Sequence, residues 1–314
     1  MLVPDTPVRV VIIGAGAVGA YYGGRLAAAG HDVTFIARGA HLEAMQRHGL
    51  EIVSEEGKLQ IPVVDARAQT NLLGPVDVVF FCVKLYDTED AIELCRPLLG
   101  DDTFVLTLQN GVESAGRLSE AFGIDRVLGG ATYVEVHVLQ PGIVRRTGST
   151  NRIDLAEADG KRSERAMAIT DILRDAGVDA RLWDDMGSML WHKFVLVASS
   201  SAATAITRQT IGVVRSNPVM REMLIACIAE SAAVGRALGV SLEEGLERQV
   251  LDAFDNVMNA DTRASQLTDL ERGRPLELEW LSGAVHRLGK QAGVPTPVHS
   301  TAYAALLPFA SKER

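Results

Sequence analysis

Cysteine is scarce in this chain. Only Cys82, Cys95 and Cys227 occur, an odd number with no C-x-x-C pair. That excludes a disulfide framework and points to reduced thiols in a cytosolic setting. The seven histidines form no H-E-x-x-H and no mixed Cys/His cluster, so no metal site is expected. Positive charge is also in deficit, with 31 Lys and Arg against 40 Asp and Glu and a net charge of −9. A field of that sign disfavours nucleic acid and anionic membrane surfaces as partners. Any anionic ligand must therefore be held by a few placed cations. No uninterrupted apolar run reaches the ~18–20 residues of a membrane helix. The opening Met1–Asp5 segment carries an early aspartate and no basic leader, which argues against a signal peptide. These features together lead to the expectation of a soluble cytoplasmic protein.

Apolar residues are plentiful. At 314 residues and 47% hydrophobic, the chain has enough material for two domains with cores of their own. The stretch VRVVIIGAGAVGAYYGGRLAAAGHDVTFIAR predicts a strand, a glycine turn, a helix ending at Gly30 and a second strand. Val8 to Ile13, apolar apart from Arg9 and rich in β-branched residues, is of the kind that forms a parallel strand buried on both faces. Gly14, Ala15, Gly16, Ala17, Val18 and Gly19 then spell G-x-G-x-x-G. In that pattern the first glycine permits the tight turn and the second lets a pyrophosphate approach the backbone. The third lets helix and strand pack closely, and the helix N-terminus faces the phosphates. The motif alone is a weak signal, and a glycine turn can exist without a ligand. Its place directly between strand and helix is the required context.

The end of the second strand selects the cofactor. An acid there would accept from a ribose 2′-hydroxyl, but Arg38 stands in its place and suits a 2′-phosphate. NADP(H) is the cofactor this predicts. The alternation continues with a strand over Val76 to Lys84, a helix, and a strand over Thr103 to Val112 that ends in Asn110-Gly111. Ligands of open α/β sheets lie beyond the carboxyl ends of strands, so Arg38, Lys84 and Asn110 could all face one crevice. Short β-rich segments with a Pro141-Gly142 turn, a helix over Ser163–Ala176 and a strand over Val178–Trp183 complete the domain.

From Met186 onward strand signals stop and helical periodicity takes over. The predicted organisation is α/β. A Rossmann NADP-binding domain covers 1–185, an all-helical substrate and catalytic domain covers 186–314, and substrate would sit in a cleft between them. Lys193, in SMLWHKFVLVASSSAATAI, shares a helical face with Met189, Leu190, Leu196 and Val197. A lone lysine in such a place ordinarily lays its stem along the apolar face and sends its charge to water. Past Val197, however, the stripe turns polar with Ser200, Ser201 and Thr204. A lysine near that change can reach a cleft, and partial desolvation would bring its pKa toward the range of proton transfer.

These residues resemble the ketopantoate reductase (2-dehydropantoate 2-reductase) family over essentially the whole chain. The motifs that carry the resemblance are GAGAVG at 14–19, AR at 37–38, CVK at 82–84, QNGV at 109–112, LWHK at 190–193 and SQLTDLERGRPLELE at 265–279. The resemblance implies NADPH-dependent reduction of 2-dehydropantoate to (R)-pantoate in pantothenate biosynthesis. It implies Lys193 as the acid that protonates the developing alkoxide, and Glu277 as the residue that holds the lysine and the substrate. It further implies Asn110 and Ser265 as substrate contacts, with Asn110 also near the cofactor, and Arg38 and Lys84 on the 2′-phosphate. Taken alone, Glu277 would be an acid at a helix start after Pro275 and Ser265 a cap or turn residue. The family usually carries asparagines four and eight residues after the lysine, where they touch substrate. Here those positions are Val197 and Ser201, which favours a paralogue acting on another branched 2-oxo acid as the alternative. A non-catalytic NADP-binding sensor is the reading from a different class, and it leaves Lys193 and Glu277 without a use. Glu135 stands where the family more often has a small residue, and no role is assigned to it. The expected partner is a small 2-oxo acid, and the helical surplus of the second domain would suit a homodimer.

Overall fold

The computed structural model describes residues 6–311. The reading of the Met1–Asp5 segment lies outside them, as do residues 312–314 of the second predicted domain. Contacts divide the chain into two compact units. One comprises Met1–Gln109 and Ser114–Met186, the other Asn110–Glu113 and Gly187–Arg314.

The first unit runs β1 (Arg9–Ile13), α1 (Ala17–Ala28), β2 (Asp32–Ile36), α2 (Gly39–His48), β3 (Leu50–Ser54), β4 (Gly57–Ile61), β5 (Asp65–Arg67), β6 (Val78–Phe81), α3 (Thr88–Cys95) and β7 (Phe104–Thr107). It continues with α4 (Ser114–Phe122), β8 (Val127–Gln140), β9 (Ile143–Glu157), α5 (Glu164–Asp175) and β10 (Asp179–Leu182). All strands join one sheet of order β4-β3-β9-β8-β7-β6-β1-β2-β5, with β10 on the outside of β9. The run β7-β6-β1-β2-β5 is parallel throughout. β1 and β6 are buried apart from Arg9, because helices cover a parallel sheet on both faces and leave no solvated side.

α1 sits inside the curl of this sheet. A Cβ on Gly23 would meet Phe35 and Ile12, and one on Gly24 would meet Ile52 and Leu50 of β3. The Gly23-Gly24 pair thus lets one helix lie against β1 and β2 on one side and β3 on another. The predicted strands are longer than those observed. Val76–Lys84 is ordered as a strand only over Val78–Phe81, and Thr103–Val112 only over Phe104–Thr107. In the opposite sense, the expected short β-rich segments are the long antiparallel pair β8 and β9, which turns at Pro141-Gly142. Glu135 lies at a register shift of that pair, beside Val134, and is exposed.

The second unit is helical: α6 (Met186–Thr207), α7 (Ile211–Ser216), α8 (Pro218–Ala237), α9 (Leu246–Asp252), α10 (Ser265–Glu271), α11 (Ser282–Ala292) and α12 (Pro297–Leu306). Local signals set its boundaries. Asn217 caps α8 by accepting from the Val219 and Met220 amides, with Pro218 in the first turn, as the fixed φ of proline and the orphan amides of a helix start favour. α6 is buried on most of its surface, including Trp191, Phe194 and Val195, so it is the central helix of this unit. None of the described helices is long and apolar enough to cross a membrane.

Candidate active site

The glycine turn joins β1 to α1. Gly14 has φ +90°, and a Cβ there would meet the Val83 backbone at 2.7 Å, so neither the conformation nor the space admits a side chain. A Cβ on Gly19 would run into the Gly14 carbonyl and into Ile12 Cγ2 at 2.7 Å. That close approach is the helix-on-strand contact the third glycine of the motif serves. At Gly16, nothing in the protein lies within 4 Å of where a Cβ would be. The space over the second glycine is open, as a site for a pyrophosphate requires. Gly16 is also the residue before α1, which has no side-chain cap and no acid in its first turn. Its amides are left to a ligand or to water. The turn therefore fits a dinucleotide.

Because β7, β6, β1 and β2 are parallel, their C-terminal ends lie on one edge of the sheet. Arg38 follows β2 by two residues, precedes α2 and is exposed. Lys84 follows β6 by three residues and precedes a single 3-10 turn, Leu85–Asp87. Burial raises the Asp87 carboxyl pKa, and the nearby Arg38 guanidinium opposes the shift. Arg38 thus acts electrostatically on the turn that follows Lys84.

Gln109 is a residue the motif reading quoted and left without a role. It is buried, its amide donates to the Val83 carbonyl at 3.1 Å and to Thr88 Oγ1 at 2.9 Å, and its oxygen accepts from Ser114. It fastens the loop after β7 to the loop that carries Lys84. His41 is a second such residue. Its Nδ1 accepts from the Gly142 amide at 3.1 Å. Burial lowers its pKa, an effect partly offset by the Ala15 carbonyl, so a neutral imidazole ties the start of α2 to the β8–β9 turn. Both contacts span long sequence separations, which no local pattern reports.

Asn110 opens the short segment that belongs to the helical unit. Glu113 accepts from both terminal nitrogens of Arg287 on α11, at 3.0 and 2.7 Å. Val112 packs against the Trp191, Phe194 and Leu281 cluster. These contacts bring Asn110 into the same unit as Lys193. The lysine stands on α6 about two turns from its start, and only 7% of it is exposed. The residue as a whole is thus buried, unlike a lone lysine whose stem lies along an exposed apolar face. Glu277 is also buried, at 5% exposed. It precedes a 3-10 turn, Leu278–Trp280, rather than an exposed helix start. Two opposite charges are thus buried in one helical unit, where an unpaired charge would be costly.

The polar stripe beyond Val197 does not open to solvent either. Ser200, Ser201 and Thr204 are buried. Ser200 donates to the Val197 carbonyl at 3.1 Å, and Thr204 to the Ser200 carbonyl at 2.7 Å. Ser200 and Thr204 thus satisfy themselves on their own helix. Val197 is half-buried against the same cluster as Val112. Ser265 is the exposed first residue of α10 and does not cap it. Its neighbour Gln266, which the motif reading passed over, is 2% exposed with both amide atoms lacking a protein partner. Such a group is expected to find its partner in a ligand or water. The cysteines are free, with pKa values raised by burial. No group of acids, histidines and cysteines among the described residues could hold a metal.

The family model described as ketopantoate reductase PanE/ApbA matches residues 10–160. Its C-terminal companion matches residues 185–309. This chain belongs to the ketopantoate reductase family. Among the family's proteins, a 2-dehydropantoate 2-reductase of Mesorhizobium japonicum is 34% identical, the match covering 92% of this chain and 94% of that one. The crystal structure of 2-dehydropantoate 2-reductase from Geobacter metallireducens superposes with a TM-score of 0.90 at 30% identity, covering 96% of this chain and 99% of that one. The ternary structure of D-mandelate dehydrogenase with NADH and anilino(oxo)acetate has the same fold, with a TM-score of 0.89 at 21% identity, over 96% of this chain and 98% of that one. As a member of the family, the chain is an oxidoreductase with an α/β dinucleotide-binding part and a helical C-terminal part.

Proposed function

We propose that the protein is an NADPH-dependent 2-oxo acid reductase whose substrate is 2-dehydropantoate and whose product is (R)-pantoate. The observation that carries this reading is the burial of Lys193 and Glu277, 7% and 5% exposed, in one helical unit. The curated relative from Mesorhizobium japonicum bears the same activity in its name. The reduced nicotinamide supplies a hydride to C2 of the acid. Addition at C2 leaves negative charge on the former carbonyl oxygen, and a buried ammonium meets both needs of that oxygen. It stabilises the charge in a low-dielectric setting and donates the proton. Glu277 keeps Lys193 charged and oriented, since a neighbouring carboxylate favours the ammonium form. Asn110 and Ser265 contact the substrate. Gly14 to Gly19 cradle the pyrophosphate, while Arg38 and Lys84 hold the 2′-phosphate.

Val197 supports a second reading, in which another branched 2-oxo acid is the substrate. An amide lost beside the lysine removes a donor and an acceptor for the hydroxyl of 2-dehydropantoate. The D-mandelate dehydrogenase neighbour acts, by its name, on a different 2-hydroxy acid. The two readings separate in kcat/KM for 2-dehydropantoate and for 2-oxo-3,3-dimethylbutanoate, measured by NADPH oxidation. A site that hydrogen-bonds the hydroxyl rejects the analogue by about 10⁴–10⁵, whereas an apolar wall discriminates by only about 10–200-fold. With Val197 in place we expect weak discrimination, sharpened toward 2-dehydropantoate in Val197→Asn. A wild type that already prefers 2-dehydropantoate by more than about 10³ assigns the hydroxyl to other residues. No oxidation of NADPH with any 2-oxo acid would overturn both readings.

A further inference from the structure

The first unit contains a cavity of about 480 Å³ that includes none of the residues assigned to cofactor or substrate. Its wall begins on α1 with Tyr21 and Arg25, one turn apart, and continues over Arg146 and Arg152 of β9, Arg181 of β10 and Glu56 of the β3–β4 turn. Arg25 lies about 12 Å down α1 from the glycine turn. Asp179 also lines it, so four guanidinium groups stand against two carboxylates, a net positive wall in a chain with a net charge of −9.

Of these cations Arg146 is buried, Arg25 and Arg152 are half-buried and Arg181 is exposed. Arg146 is 5% exposed, donates to the Ser149 carbonyl at 3.1 Å, and pairs with Glu56 at 2.6 Å. Glu56 is 72% exposed on its turn, so a buried cation is neutralised by a solvent-exposed carboxylate. Arg25 is pinned by the Ala176 and Gly177 carbonyls at 2.9 and 3.1 Å. Arg152 stacks on the Tyr133 ring at 3.9 Å. Its Nε lies 3.1 Å from Asp154 but makes no aligned hydrogen bond. Arg181 is held by Asp179 through two contacts of 3.2 and 2.7 Å. Tyr21 is 2% exposed. Burial raises its phenol pKa, while Arg146 and Arg25 oppose the shift, so its hydroxyl stands among the cations as a donor.

We propose that this cavity binds the phosphate group of a small phosphorylated metabolite, with Glu56 acting as the internal anion that the ligand displaces from Arg146. Planar guanidinium groups match phosphate oxygens in pairs. The charged lining disfavours an apolar ligand, and the volume accommodates a small metabolite rather than a bare ion alone.

Titration calorimetry with inorganic phosphate, at saturating NADPH and constant ionic strength, tests this. The cofactor keeps its own phosphate sites filled, so those sites do not contribute. Saturable binding of one phosphate per chain is expected. Arg181→Gln should weaken it about tenfold, the scale of one charge-assisted contact. Glu56→Gln should tighten it about three- to tenfold by freeing Arg146. Both side chains are exposed, so both variants should fold, and neither should alter NADPH oxidation in phosphate-free buffer. Absence of saturable binding, or an affinity in either variant within about twofold of wild type, would overturn the proposal.

Discussion

His299 is the residue whose chemistry is most displaced from its ordinary behaviour. It is fully buried at the start of α12, with Nε2 2.9 Å from Ser231 Oγ and 3.1 Å from the Cys227 carbonyl, and Nδ1 3.3 Å from Ser282 Oγ. Burial pushes its pKa down to about 4, from an ordinary value of about 6.5. Between those two values the unfolded chain binds a proton that the folded chain does not. Stability therefore falls as pH drops below about 6.5 and stops falling on this account below about 4, a total of roughly 3 kcal/mol. Urea unfolding at pH 7 and pH 4 should show that much less acid sensitivity in His299→Gln than in wild type. Equal pH dependence in the two proteins would mean that the imidazole takes up its proton at the same pH in the folded and the unfolded chain. Nothing in the sequence around PTPVHSTAY announces this, because the partners are on α8 and α11, distant along the chain.

At the scale of elements, the glycine turn and its flanking strand and helix were legible because their constraints are local. Gly14 needs a positive φ, Gly19 needs space against β1, and both demands follow from a strand turning straight into a helix. The β8–β9 pair was legible in its β-rich segments and its Pro141-Gly142 turn but not in its length. Its outer part, Arg145 to Arg152, is mostly polar, so it lacks the apolar alternation by which a half-buried strand is read. The strand ends were overextended for a related reason. Cys82, Val83 and Leu108 continue the apolar composition but sit in loops that Gln109 pins to each other. Arg38 was placed correctly at the end of β2, and its role is testable there. Arg38→Ala should lose a charge-assisted contact of about 1.5–3 kcal/mol, a roughly ten- to hundredfold weakening of NADPH binding with NADH little changed. Fluorescence titration of the two cofactors against both proteins measures it. A wild type that prefers NADH, or unchanged NADPH affinity in the variant, would remove the 2′-phosphate from Arg38.

For the whole molecule, the division into a sheet unit and a helical unit could be read from the point where strand signals stop, near Met186. The return of Asn110–Glu113 to the helical unit could not, since it depends on Arg287, far along the chain from Glu113. Periodicity identified the face that Lys193 shares with apolar residues but could not decide whether the charge escapes to water. Both Lys193 and Glu277 are buried, which is the observation on which the proposed chemistry rests. Single-turnover reduction of 2-dehydropantoate by Lys193→Ala, with NADPH affinity measured on the same preparation, tests this most directly. A positioned acid contributes about 10²–10⁴ to rate, so the account predicts a loss of that size with NADPH affinity unchanged and the fold intact by circular dichroism. Near-normal turnover in a folded Lys193→Ala protein would contradict it.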